Sequence, residues 1–280
     1  MQKRVITIQD ISCVGRCSLT VALPIISAAG IETSILPTAI LSTHTGGFEG
    51  YTFRDLTDDI DPIVAHWQNL NLQAAAVYTG YLGSKQQQQL IKDIFTAYKD
   101  KGSLIFVDPA MADNGRLYPA FDMDFALGMR GLCSMADLIA PNLTEATLML
   151  EREYPGDDYN QRYIEELLRA LSDLGPEQVV LTGVSFVYDR IGAAAYTRAT
   201  DSVDYYFTDR IEGYYHGTGD IYSSTLLAAI VNELSLADAI KVACDFTVGA
   251  IRRTYATGDD PKYGVDFESG LGELASLFKR

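Results

Sequence analysis

Two stretches decide the fold: Leu104-Ile105-Phe106-Val107-Asp108-Pro109 and Leu138-Ile139-Ala140-Pro141-Asn142. Each is a short apolar run cut off by a proline, which cannot donate to a β-ladder and so ends the strand. The first is preceded by a longer segment of helical character at residues 85–99. Working outward, residues 5–8 read as a first buried strand, and residues 19–29 as a helix closed by Gly30. Short strands are expected at residues 33–36 and 39–41. A helix follows at 60–70, with apolar Ile60, Ile63, Val64 and Trp67 at helical spacing, then a strand at 74–78. Beyond Pro141, helices are expected near 145–152 and 161–171, a strand at 179–181, and helices at 220–233 and 236–254. This alternation predicts an α/β fold with a central, mainly parallel sheet and helices on both faces.

One section breaks the rhythm. Residues 184–207 are rich in tyrosine, β-branched and small residues, with turn signals at Asp189-Arg190 and Thr200-Asp201-Ser202, and are expected to form an antiparallel hairpin or two. Residues 258–270 read as a polar loop before a short terminal helix. No linker-like stretch divides the chain, so residues 1–280 are expected to form one domain.

Composition narrows the function classes. Of 280 residues, 48% are hydrophobic and 21% charged, which is ordinary for a globular protein with a sizeable core. The formal net charge of −15 repels phosphate backbones and anionic lipid, so neither a nucleic acid nor a membrane surface is an expected partner. A targeting segment is not expected at the start, nor a membrane span anywhere. Cys13, Cys17, Cys133 and Cys244 lack paired CxxC spacing and read as reduced thiols of a cytoplasmic protein.

In an open parallel sheet, ligands bind beyond the carboxyl ends of the strands. The residues following each strand collect there: Gln9-Asp10, His44-Thr45-Gly46-Gly47, Gly80-Tyr81, Asp108, Asn142 with Glu145, and Thr182-Gly183. Taken singly, each is a turn or cap residue; together they outline a site. Gly217-Thr218-Gly219-Asp220 opens a helix, where glycines allow close backbone approach and free N–H groups bind anions. Asp220 there either complements the helix dipole or acts as a general base, and the spacing leaves both open. Asp108 and Glu145 have the chemistry to hold Mg²⁺ directly or through water, or else are a turn residue and a first-turn helix acid. The chain has no GxxxxGK[ST] loop, no GxGxxG fingerprint and no GxSxG elbow.

These motifs in their order resemble the pyridoxal and pyridoxamine kinases of the ribokinase superfamily over nearly the whole chain. The resemblance rests on Ile8-Gln9, Ser42-Thr43-His44-Thr45-Gly46, Gly80-Tyr81-Leu82-Gly83-Ser84 and Asp108-Pro109-Ala110-Met111. It continues through Asn114-Gly115-Arg116-Leu117-Tyr118, Ala140-Pro141-Asn142-Leu143-Thr144-Glu145-Ala146 and Gly217-Thr218-Gly219-Asp220. It implies a ribokinase-like fold, a cytoplasmic homodimer, and ATP-dependent phosphorylation of the 5′-hydroxymethyl group of a vitamin B6 vitamer. It also implies Mg²⁺ and a monovalent cation such as K⁺. Carried over by position, Asp220 is the catalytic base and Gly217, Thr218 and Gly219 its anion hole. Asp10, His44, Thr45, Tyr81 and Tyr118 lie around the vitamer. Asn142, Thr182 and Gly183 lie on the nucleotide side, and Glu145, Asp108 and Asp113 near the cations. Asp10 stands where the family commonly has serine; it either pairs with a cationic group of the vitamer or caps the following loop through Ser12 or Cys13. Two rival readings are a hydroxymethylpyrimidine kinase, whose similar motif carries cysteine in place of Asp220, and a non-catalytic vitamer-binding protein.

Overall fold

The computed structural model describes residues 2–278. The chain opens with β1 (Arg4–Ser12), α1 (Leu19–Ala28), β2 (Glu32–Leu41), β3 (Phe53–Asp55) and α2 (Thr57–Asn69). Next come β4 (Ala76–Thr79), α3 (Lys85–Lys99), β5 (Leu104–Val107), and a small ladder of β6 (Ala112–Asp113) with β7 (Arg116–Leu117). Then follow α4 (Met123–Cys133), β8 (Leu138–Ile139), α5 (Leu143–Met149) and α6 (Gln161–Ser172). The strands β9 (Gln178–Val184), β10 (Arg190–Thr197) and β11 (Ser202–Asp209) lead into α7 (Thr218–Val231), α8 (Leu236–Thr257) and α9 (Leu271–Leu277).

A nine-stranded sheet has the order β11-β10-β9-β8-β5-β4-β1-β2-β3. From β9 through β2 each neighbouring pair is parallel; β10 and β11 fold back antiparallel at one edge and β3 at the other. The expected mainly parallel sheet is present, and so is the hairpin, which runs two residues past the expected stretch. Helices cover both faces because strand side chains alternate. Ile6, Ile8, Val77, Ile105, Val107, Val179 and Leu181 pack towards α2 to α6, whereas Val5, Ala76, Tyr78, Phe106 and Val180 pack towards α1, α7 and α8. Tyr78 and Phe106 are register partners, with rings stacked at 4.9 Å. Among the described residues, no helix is long and apolar enough to cross a membrane.

β1 lies between β2 and β4, so the chain reverses its direction of growth there and opens a crevice at the strand ends. β1 extends to Ser12, four residues past the expected end, and its register with β2 slips between Gln9 and Ile11. β2 is continuous where two short strands were expected. Pro37 is tolerated inside it because β3 covers only Ala39–Leu41 and leaves that part at the open edge. The helix α4 was not expected, since Gly128 and Gly131 weaken its pattern. Gly128 is required by close packing: a β-carbon there would collide with the Gln88 side chain, which donates to the Phe125 carbonyl at 3.0 Å.

Candidate active site

The first turn of α7 is built around Gly217, at φ 76° and ψ 0°. A β-carbon there would run into the Arg16 carbonyl, so only glycine lets this helix start against the 13–18 loop. No side chain caps the helix, which leaves its first-turn N–H groups for an anion. Asp220 follows within that turn. Its Oδ2 accepts from the Ser18 N–H at 2.9 Å. Burial pushes its carboxyl up to about 7; the Ser18 N–H pulls it down and the Asp10 charge adds to the rise.

Two further carboxylates lie across the strand ends. Asp108, just past β5, is buried and accepts from the Ser223 hydroxyl at 2.7 Å, tying the strand edge to α7. Glu145 belongs to a capping box: Asn142 Oδ1 accepts from the Glu145 N–H at 2.9 Å, and Glu145 Oε2 from the Asn142 N–H at 2.9 Å. Its Oε1 accepts from Met111 N–H at 3.1 Å, and Asn142 Nδ2 donates to the Ala112 carbonyl at 2.8 Å, so α5 also anchors the 108–113 segment. Burial and then the Asp108 charge hold Glu145 well above the usual carboxylate range; burial chiefly raises Asp108, with the Asp220 charge adding to it. Asp113 accepts from the Tyr214 hydroxyl at 3.1 Å. Among the described residues, no group of three or more His, Cys, Asp or Glu side chains forms a metal cluster.

Towards β1 the lining turns aromatic. Tyr81 lies 5.4 Å and Tyr118 6.4 Å from Phe121, centroid to centroid. His44 Nε2 sits 2.6 Å from the Lys262 carbonyl, and its Nδ1 accepts from Gly46 N–H at 3.2 Å. These partners fix the tautomer with the proton on Nε2, and burial lowers the ring's pKa, so His44 is a neutral brace for the Thr45–Gly47 turn. Asp10 is 4% exposed; its Oδ1 accepts from Ser18 Oγ at 2.5 Å and its Oδ2 from Ser12 Oγ at 3.0 Å. It therefore organises the following loop through hydroxyls.

A cavity of about 860 Å³ takes in the carboxylates, the glycine-rich helix start, His44 and the two tyrosines Tyr81 and Tyr118. Asp10, His44, Thr45, Tyr81 and Tyr118 line it together with Asp108, Asp113, Asn142, Glu145, Thr182, Gly183, and Gly217 through Asp220. Residues the sequence did not mark complete it: Ser12 at the end of β1, Cys17 and Ser18 from the loop after it, Tyr188 just before β10 and Gly192 within it, and Cys244 and Val248 from α8. The α8 residues look like plain helix core in sequence, since their spacing is that of a buried face. All four cysteines are free.

The phosphomethylpyrimidine kinase family model matches residues 26–264. The chain belongs to this family. A "putative phosphomethylpyrimidine kinase" from Bacteroides thetaiotaomicron, solved in a form with pyridoxal, is 38% identical with a TM-score of 0.93, covering 98% of this chain and 96% of that one. Pyridoxal kinase from Lactobacillus plantarum is 31% identical with a TM-score of 0.89, covering 99% and 98%. Among curated proteins, the "putative pyridoxal kinase" of Caenorhabditis elegans is 30% identical over 236 residues, 81% of this chain and 69% of the relative. The expected ribokinase-like fold and kinase class are borne out.

Proposed function

We propose that this kinase transfers the terminal phosphoryl group of ATP to the 5′-hydroxymethyl group of a vitamin B6 vitamer, pyridoxal, pyridoxamine or pyridoxine. The observation that carries this reading is one cavity with an aromatic end at Tyr81 and Tyr118, a polar strand-edge end at Asn142 and Thr182, and the Asp220 carboxylate at a glycine-rich helix start. The relatives solved with pyridoxal or named as pyridoxal kinases support the choice of acceptor. The family description favours a second acceptor of the same chemistry, the hydroxymethyl group of a pyrimidine.

In this reading Asp220 takes the proton of the acceptor hydroxyl as its oxygen bonds to the γ-phosphorus and the bond to the ADP oxygen breaks. A carboxyl near 7 is about half ionised at neutral pH and basic enough to accept the proton. The N–H groups of Gly217, Thr218 and Gly219 face the charge that develops on the phosphoryl oxygens. Tyr81 and Tyr118 hold the ring, with His44 bracing the turn that carries Thr45, and Asp10 shaping the wall beside them. Asn142, Thr182 and Gly183 border the nucleotide.

The carboxylate set suits Mg²⁺. The Asp108 charge adds to the rise at Glu145, which a divalent cation would relieve, and both are oxygen donors. Because both Glu145 oxygens already accept backbone N–H groups, Asp108 would hold the ion directly and Glu145 and Asp113 through water. The ion would neutralise charge on the phosphates. K⁺ as a second cation and a cytoplasmic homodimer follow from the resemblance to the B6 kinases.

Asp220→Asn tests the reading. Turnover of pyridoxal should fall by about 10²–10⁴ while vitamer and nucleotide binding are kept, because the amide retains the shape but not the basicity. A variant that keeps more than about a third of the wild-type rate would make Asp220 a helix-start acid only.

A further inference from the structure

Ser18 sits directly before α1, where a serine ordinarily accepts from first-turn N–H groups, yet its side chain makes no cap bond. Both of its polar groups are used elsewhere. Its hydroxyl donates to Asp10 Oδ1 at 2.5 Å, and its own N–H donates to Asp220 Oδ2 at 2.9 Å. The backbone that aims them is at φ 55° and ψ −131°, a conformation that a residue with a β-carbon rarely adopts and that costs about 1–3 kcal/mol. Such strain persists only where neighbours enforce it, and here they can be named. Asp10 lies at the register slip of β1 and is fixed on its other oxygen by Ser12. On the far side, Gly217 abuts the Arg16 carbonyl, and Arg16 N–H donates to the Tyr263 carbonyl at 3.0 Å.

We propose that Ser18 is a positioning residue for the base: Asp10 holds Ser18 in its strained conformation, and that conformation pins Asp220 Oδ2 with a backbone N–H, leaving Oδ1 for the acceptor hydroxyl. Asp10 then acts on catalysis through Ser18 and not as a direct partner of the vitamer. The inference rests on Asp220 being the base. A carboxylate free to rotate about its terminal bond spends part of its time with neither oxygen in line, and small misplacements of a reacting group are costly.

The test uses Ser18→Ala, Ser18→Gly, Asp10→Ala, Asp10→Asn and the double variant of the two alanine changes. Ser18→Ala cuts the tie that holds the strained conformation, so the backbone relaxes, its N–H leaves Asp220, and kcat should fall about ten-fold or more with both KM values within about two-fold. Ser18→Gly, to which that backbone conformation is open, should regain part of the loss, which a mere cap or packing role would not predict. Asp10→Asn keeps an acceptor and should stay within a few-fold of wild type. Asp10→Ala should match Ser18→Ala and add little to it in the double variant. Two results would overturn the inference: wild-type kcat in Ser18→Ala, or independent effects of the two alanine changes with a raised vitamer KM, which would make Asp10 a vitamer contact.

A second readout needs no substrate. Carbon-13 NMR of the Asp220 carboxyl in the free protein should show its titration moving to higher pH in Ser18→Ala, because the backbone at position 18, no longer tied to Asp10, relaxes and withdraws the N–H that favours the charged form. An unmoved titration contradicts the inference. If wild type phosphorylates no vitamer, the reading of the acceptor fails, whereas the NMR titration still decides the role of Ser18.

Discussion

Tyr81 lies beside Phe121 in the aromatic end of the cavity, and burial, with the Asp10 charge next, pushes its hydroxyl up to about 12. The phenol is therefore neutral at any working pH, and what it offers an aromatic ligand is mainly a ring face. Tyr81→Phe should leave the vitamer Kd nearly unchanged, and Tyr81→Ala should weaken binding by about 1–3 kcal/mol, by analogy with base stacking on aromatic side chains. Equal damage from both, measured by titration calorimetry, would assign the effect to the hydroxyl. At this scale the sequence was legible where residue type limits the options. An aspartate at a glycine-rich helix start and an aspartate before proline at a strand end are few-option positions, and both line the cavity. Ser18 was not legible, because its part depends on a positive φ and on contacts with Asp10 and Asp220, 8 and 202 residues away. Serine before a helix reads as a cap, and nothing local says otherwise.

Secondary-structure elements carry some of the site in ways a single side chain does not. The Asn142–Glu145 capping box starts α5 and, through Met111 N–H and the Ala112 carbonyl, holds the segment that follows Asp108. Glu145→Ala should thus do two things: lower stability by about 1 kcal/mol, as lost caps do, and raise the Mg²⁺ concentration for half-maximal rate with vitamer binding unchanged. Thermal melts and a Mg²⁺ titration separate the two effects. An unaltered titration would leave Glu145 with its capping work alone. The strand at Leu104–Val107 and the helix at Lys85–Lys99 match the sequence reading at both ends, since a proline stops one and Ser84 caps the other by accepting from Gln87 N–H. α4 escaped because its two glycines weaken the helical pattern, and Gly128 stands where Gln88 makes its close approach, a contact between helices that no periodicity encodes. The single long β2 escaped for the same kind of reason, since whether Pro37 ends a strand depends on which edge of the sheet it occupies.

For the molecule as a whole, gathering carboxylates at one sheet edge has a cost in stability. Asp108, Glu145 and Asp220 are all pushed above the usual carboxylate range by burial, Asp220 to about 7. A folded-state pKa raised above the unfolded value means that the folded protein holds the proton more tightly. That stabilisation is complete below pH about 4 and is lost as pH rises through about 7. The Tm of the ligand-free protein should therefore fall from about pH 5 to about pH 7.5, with a shallower fall in Asp220→Asn; parallel curves, followed by calorimetry, would contradict the raised pKa. His44 and His216, lowered from 6.5 by burial, oppose this trend only towards the acid side of that window. The strand-end residues indicated a site at one edge, and the sheet order explains why it lies where β1 separates β2 from β4. The lining supplied by α8 and the 209–215 stretch was hidden because those segments meet the sheet edge only in the folded chain. The most direct test of the account is kcat/KM for ADP formation by the intact protein with pyridoxal, pyridoxamine and hydroxymethylpyrimidine as alternative acceptors. Saturable turnover is expected with a B6 vitamer, with the 5′-phosphate as product and a kcat/KM above that for the pyrimidine. Preference for the pyrimidine, or binding of vitamer without any ADP, would contradict it.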